Sequence, residues 1–414
     1  MRNPSDPTRT PLSRRRFLQA AGMLSALGFL GGSSALAADD TISLPFENGE
    51  RPLVKYPQKR PLIRQTTRPP QLETPFSVFN EGVITPNDAF FVRYHLTLSP
   101  PSANQLENFK VQIKGKVKNA AELSVADLKS QFEPVEIVAV NQCSGNSRGF
   151  FQPRVPGGQL GNGAMGNARW KGVRLKDVLE KCGVSEGAKQ VTFNGMDKPL
   201  LPNTPDFVKA LDVEQALDGE VMLAYEMNDE DLPWLNGYPL RLVVPGHYGT
   251  YWVKHLNEIT VIDEPFNGFW MNPAYRIPDN SCACVEPGTT PKKTIPINRY
   301  NVRSFITSLA EGAKLRSAQT SIVKGIAFDG GYGIREILFS EDGGKNWREA
   351  ELGKDLGKYS FREWTIPFGP AKVGSYELKV KATNRIGQSQ PMEPLWNPAG
   401  YMRNVVEITR VSVS

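Results

Sequence analysis

At 414 residues, with 40% hydrophobic and 22% charged side chains, the chain is too long for one ordinary core, so two globular domains with terminal extensions are expected. The formal charge of +6 does not mark a nucleic-acid binder, because residues 1–37 hold five arginines against one aspartate and leave two of the six charges to residues 38–414. Four cysteines are too few for a disulfide scaffold, three histidines exclude a multi-histidine metal cage, and no CxxC or CxxCH spacing offers a zinc or haem site.

The chain begins with an address. Residues 13–19 read SRRRFLQ, an apolar run of small residues follows from Ala20 to Leu30, and Ala35-Leu36-Ala37 is a small-x-small cleavage signature. Residues 1–37 therefore read as a twin-arginine signal peptide. The apolar run falls well short of the roughly 20 residues that span a bilayer, which argues against an anchor. That export route carries proteins already folded, the requirement of a chain that receives a complex redox cofactor before export. A periplasmic protein with no membrane span after signal removal is expected.

Residues 38–75 are polar and carry Pro45, Pro52, Pro57, Pro61, Pro69, Pro70 and Pro75. This spacing forbids a long helix or a central strand, and predicts an extended N-terminal arm. Residues 76–294 mix short strands and helices without βαβ alternation, which predicts an α+β domain. Residues 109–113 alternate apolar and polar side chains as a half-buried strand. Ser124 precedes a capped short helix, and 135–140 is a β-rich run that ends at Asn141-Gln142-Cys143. Residues 175–182 form a helix stopped by Gly183, and 221–225, 240–244 and 259–262 are further strands. From 295 to 414 strand-like runs at 321–328, 334–339, 347–350, 376–382 and 405–411 alternate with Gly-rich turns, the pattern of an Ig-like β-sandwich.

Three segments carry chemistry. The first is NQCSGNSR at 141–148, where Cys143 follows a strand directly in a loop rich in Gly and Asn. Backbone N–H groups and Arg148 there would favour a thiolate, although the same pattern fits a buried inert cysteine. Cys182, on the apolar side of its helix, reads as inert. The second is FFVRYH at 90–95, which puts Arg93 and His95 on one face of an extended segment. Such a pair suits an oxyanion or, equally, a surface ion pair beside a satisfied histidine. The third is NGYPLRLVVPG at 236–246 with YWVK at 251–254, whose Arg241 and Lys254 flank Gly turns and could hold a phosphate.

With NARWKGVRL at 167–175, GMD at 195–197, LAYEMN at 223–228, the Tyr275 segment, SEDGGKNW at 340–347 and QPMEPLWNPAGY at 390–401, these segments run in one order from about Pro75 to the C-terminus. In that order they resemble the sulfite oxidase family of molybdenum enzymes, and among them the periplasmic bacterial sulfite dehydrogenases. The resemblance implies a mixed α/β molybdopterin-binding domain followed by the sandwich as a dimerisation-type domain. It implies oxidation of sulfite to sulfate by a molybdenum-molybdopterin cofactor, with electrons passed to a c-type cytochrome. Cys143 would be the thiolate ligand of the metal, Arg93 and Arg148 the sulfite-binding arginines, and Tyr275 the tyrosine beside the reacting oxygen. Tyr94, His95, Asp197, Asn236, Arg241, Trp252 and Lys254 fall on positions that hold the pterin and its phosphate, and His95 also lies towards the electron acceptor.

The sequence departs from the pattern in three places. Asn236 stands where many members have histidine, and Leu160 where animal enzymes have a pocket tryptophan. Ala399 takes the place of a third substrate arginine, for which Arg403 is the nearest basic substitute. No haem motif is present in this chain, so the acceptor is expected to be another protein, in a homodimer or with a tightly bound haem subunit. The competing expectations are a molybdopterin reductase of S- or N-oxides such as methionine sulfoxide, and a cofactor-free binding protein.

Overall fold

The computed structural model describes residues 40–97, 100 and 102–414, so the export signal expected over 1–37 lies outside the described residues. The proline-rich stretch does not run as an extended arm. Strands β1 (Thr41–Ser43), β2 (Glu50–Val54), β3 (Leu62–Thr66), β4 (Gln71–Glu73) and β5 (Val92–Arg93) pair antiparallel in sequence order. Six of the seven prolines fall between strands and only Pro52 lies within one, so the missing N–H donors cost the ladder little. Leu62, Leu72, Val92 and Tyr94 form a small core under this sheet. Strand β5 leads straight into Tyr94 and His95, which ties the N-terminal segment to the substrate-side motif.

The next ten strands are β6 (Val111–Gly115), β7 (Ala121–Leu123), β8 (Pro134–Gln142), β9 (Met165–Arg174) and β10 (Gln190–Gly195), followed by β11 (Lys209–Asp212), β12 (Met222–Met227), β13 (Glu230–Asp231), β14 (Arg241–Val243) and β15 (Leu256–Ile262). One mixed sheet has the order β11-β10-β15-β6-β7, with β15 and β6 parallel. A second, antiparallel, has the order β13-β12-β9-β8, and β14 also pairs with β12. The helix Val125–Gln131 starts where expected, because Ser124 and Asp127 form a reciprocal capping box. The helix Leu175–Cys182 ends on Gly183 at φ 72°, a left-handed cap that costs glycine nothing. Its Leu175, Val178, Leu179 and Cys182 are buried, so Cys182 is a core residue.

In the C-terminal third, one sheet contains Arg303–Ile306, Ser321–Phe328, Arg362–Phe368 and Glu351–Leu352. The other contains Ala313–Leu315, Ile408–Val413, Gly374–Asn384, Ile334–Ser340 and Arg348–Glu349. Their inner faces share a core that includes Trp364, Phe339, Phe368 and Leu378, which makes them a β-sandwich. The fold class is thus α+β followed by a β-sandwich. Tyr300, Phe305, Phe328 and Phe361 pack into the main core instead, so the two parts are joined by apolar contact.

Candidate active site

Strand β8 is buried over its last four residues, and it delivers Asn141, Gln142 and then Cys143 to the end of its sheet. The Cys143 N–H donates to the Ala164 carbonyl at 2.9 Å, and its own carbonyl accepts from Asn146 N–H at 3.0 Å. The backbone at the cysteine is therefore fixed from both sides. Gly145 leaves room for the Arg148 guanidinium, whose carbon a Cβ there would meet at 2.8 Å. The clamp comes from the N-terminal segment: buried Glu73 accepts from the N–H groups of Gly161 at 3.0 Å and Gly163 at 2.9 Å.

Cys143 shares a cleft with Arg93, Tyr94, His95, Asp197, Asn236, Arg241, Trp252, Lys254 and Tyr275, which brings together ten of the eleven residues singled out in the sequence. Arg148, the eleventh, is not on its wall. Arg148 Nε donates to the Ala399 carbonyl at 3.1 Å, and the guanidinium lies 5.0 Å from the Tyr401 ring centroid. Tyr401 stacks on Tyr275 with centroids 5.5 Å apart and planes within 3°. Arg403 does not point to the same place: it pairs with Glu407 and lies over the Phe150 ring. Leu160 is buried in the apolar core.

The aromatic wall orders the reactive groups. His95 Nε2 hydrogen-bonds the Tyr275 hydroxyl, and its ring stacks on Phe207 at 3.9 Å. Burial, and then the charges of Arg93, Lys209 and Lys254, hold His95 well below its ordinary pKa, so it is neutral and able to accept a proton bond. Arg241 lies 4.8 Å from the Trp170 ring and 5.7 Å from the Trp252 ring, and its guanidinium donates to the carbonyls of Asn236 and Trp252. Lys254 donates to the Leu235 carbonyl at 3.1 Å.

The donor set fits an anionic cofactor. Asn141 Oδ1, Ser144 Oγ, Thr250 Oγ1 and Arg241 Nε are buried around the cleft without hydrogen-bond partners, the signature of a site whose ligand completes it. Arg93, Arg241 and Lys254 line the cleft against Asp197 alone. Burial pushes Arg241 down to about 9; burial, and then the charge of Arg241, hold Lys254 well below its usual value against the opposing charge of Asp197. Among the described residues no three His, Cys, Asp or Glu side chains gather to hold a metal ion. A metal beside Cys143 would therefore take its remaining ligands from a cofactor.

Burial also pushes the Asp197 carboxyl up to about 6, against the opposing charge of Lys254. Its folded pKa thus exceeds the unfolded value of about 3.9. The folded state keeps the proton longer, so its stabilising effect is complete below about pH 4 and is lost as pH rises through about 6. Asp197→Asn is expected to stabilise the cofactor-free protein at pH 7 by about 2 kcal/mol, and to change nothing at pH 4. Thermal unfolding of the two proteins at both pH values checks this; an unchanged difference between pH 4 and pH 7 contradicts it.

The sequence reading missed two buried lysines. Lys209, on β11, donates to the Trp270 carbonyl at 2.6 Å and lies 4.6 Å from the Tyr251 ring and 5.1 Å from that of Tyr275. It sits in the stretch FVKALD, where a lone lysine among apolar residues was the available signal. Lys59, between β2 and β3, donates to Asn236 of the cleft wall, and its surroundings of Pro and charged residues gave no signal. Cys282 and Cys284, which fit no zinc or haem spacing, are joined in a disulfide.

Comparison with known proteins agrees with this geometry. Residues 97–270 match the oxidoreductase molybdopterin binding domain, and 294–413 match the Mo-co oxidoreductase dimerisation domain. The chain is 31% identical to the mitochondrial sulfite oxidase of Drosophila melanogaster, over 94% of this chain and 68% of that protein. It is 31% identical to the sulfite oxidase of Arabidopsis thaliana, over 87% of this chain and 96% of that protein. Among solved structures it shares its fold with the sulfane dehydrogenase SoxCD from Paracoccus pantotrophus, with a TM-score of 0.71 at 21% identity, over 94% of this chain and 96% of that one.

Proposed function

Because the chain belongs to the sulfite oxidase family of molybdopterin oxidoreductases, we propose that it oxidises sulfite to sulfate and passes the electrons to a c-type cytochrome. The observation that carries the reading is a free cysteine sharing one cleft with Arg93, Arg241 and Lys254, which have Asp197 as the one carboxylate on its wall. Cys143 is the thiolate ligand of molybdenum, a soft donor suited to a metal that changes oxidation state. Arg241 and Lys254, with the unpartnered polar atoms around them, take the pterin and its phosphate; Tyr94, Asp197, Asn236 and Trp252 shape that end. The bound cofactor supplies the two-electron, oxygen-transferring centre.

The remaining steps belong to the polypeptide. Arg93 draws the sulfite dianion in and offsets its charge, and Arg148 adds to the same field from behind Tyr401. The Tyr275 hydroxyl pairs with Nε2 of neutral His95 and, when sulfite binds, turns its single proton to a substrate oxygen. The rings of Phe207 and Trp270 hold the histidine in place.

The signal over 1–37 supports a periplasmic location. Among the described residues no helix is long and apolar enough to cross a membrane. The C-terminal match supports a homodimer, and a tightly bound haem subunit is the other assembly to look for.

Purified protein is expected to carry one molybdenum per chain, to release a fluorescent pterin on oxidation, and to reduce cytochrome c only when sulfite is added. A full complement of molybdenum with no sulfite activity, but with turnover of methionine sulfoxide, would turn the reading to an S-oxide reductase. Absence of metal and pterin from the freshly purified protein would end both.

A further inference from the structure

Lys59 lies between β2 and β3, outside the matched molybdopterin-binding domain, yet it is 3% exposed and reaches into the core of the molecule. Its ammonium donates to the carbonyls of Asn87 at 2.5 Å and Phe90 at 3.0 Å, and to Asn236 Oδ1 at 2.6 Å. All three protons are thereby used, and among the described residues no carboxylate pairs with it. The amide of Asn236 is held at its other end by Nδ2 donating to the Phe91 carbonyl at 3.1 Å. The Asn236 carbonyl in turn accepts from Arg241 Nη1 at 2.7 Å. Lys59 thus holds the side chain of Asn236, and the main-chain carbonyl of the same residue holds Arg241, whose Nε has no partner among the described residues.

We propose that Lys59 is a positioning residue of the cofactor site: it fixes Asn236, whose main-chain carbonyl holds the Arg241 guanidinium that takes the cofactor's anionic end. The inference rests on the molybdopterin reading of the cleft.

Two arguments support a role beyond packing. A carbonyl cage can be filled by water or a neutral donor, and burying an ammonium without a carboxylate costs stability unless an anion binds close by. Burial indeed pulls Lys59 down to about 7, with Asp88 opposing. Lys254 feels the charges of Arg241, Arg93 and Lys59 together, and of Asp197 alone on the negative side. Arg241 and Lys254 line the cleft with Asp197 as its one carboxylate, an arrangement that a phosphate completes. The N-terminal sheet is then part of the cofactor site, because Lys59, and Arg93 on β5, both come from it.

The test compares the full-length wild type with Lys59→Met, and with Lys55→Met as an exposed control in the same connection between β2 and β3. Lys59→Met is expected to lower molybdenum and released pterin per chain about tenfold, as loss of supporting groups around metal sites commonly does. Lys55→Met keeps both. The Tm gap between cofactor-loaded protein and protein from a host unable to make the cofactor should shrink in Lys59→Met. A merely structural lysine would instead lower both Tm values equally and leave the gap intact, which overturns the proposal. Asn236→Ala supplies a second check. If Lys59 acts through Asn236, the double variant loses no more cofactor than the worse single variant; additive losses overturn it. Sulfite turnover is read separately. Wild type that is full of molybdenum yet inactive on sulfite fails the functional reading, while the Lys59 comparison is decided by cofactor content alone.

Discussion

Replacing Cys143 with serine is expected to lower sulfite turnover more than a hundredfold, about the upper end of what supporting groups around a metal cost, while pterin content stays near that of wild type. The two halves of the result have different origins. Turnover depends on the sulfur, because serine offers a harder donor with a far higher pKa and changes the electron donation to the metal. Pterin retention depends on Arg241, Lys254 and the unpartnered atoms of Asn141, Ser144 and Thr250. The backbone at 143 is held by Ala164 and Asn146 whichever side chain it carries, so the fold is not at issue. Turnover of the serine variant at the wild-type rate, with molybdenum bound, would remove the ligand role from Cys143.

Much of this arrangement was legible in the sequence, for identifiable reasons. The helix Leu175–Cys182 and the capped start at Ser124 rest on local chemistry, a glycine stop and a capping box, and the structure has both where expected. The strand ending at Gln142 and the strand Ser321–Phe328 were visible because their β-branched runs end at turn residues. Strand β9 was not read as one, because polar and charged residues such as Asn167, Arg169, Lys171 and Arg174 break the pattern. Its pairing with β8 across nine register positions decides the structure there. The proline-rich segment misled for a similar reason. Proline forbids a ladder bond at its own position, but it punctuates short strands well, and six prolines do only that. The site was legible through its motifs, whereas Lys59 and Lys209 were not, because a buried lysine is recognised by the carbonyls that fold around it. Those of Asn87, Phe90 and Trp270 lie 28, 31 and 61 residues away along the chain.

Arg148→Gln is expected to raise KM for sulfite about tenfold to a hundredfold and to leave molybdenum content nearly unchanged. Arg148 reaches the cleft only through Tyr401, which carries its charge face-on and stacks against Tyr275. The half-buried guanidinium lies against two glycines: a Cβ at Gly145 or Gly157 would meet it at 2.8 or 2.9 Å. At an effective dielectric of about 20 a unit charge is worth about 2 kcal/mol at roughly 8 Å, which is one to two decades in an equilibrium. Arg93 and Arg148 both act on Tyr275, so removing either weakens the field that the dianion enters. Neither the cation Arg241 nor Lys254 touches Arg148, so cofactor content should not follow KM. Arg403→Gln is the matching control, because Arg403 is already paired with Glu407 and lies over Phe150. Its KM is expected to move less than threefold, roughly what loss of a partly exposed ion pair produces. If Arg403→Gln raises KM while Arg148→Gln does not, the substrate field is built from the Glu407 side of the molecule and the assignment of Arg148 is wrong.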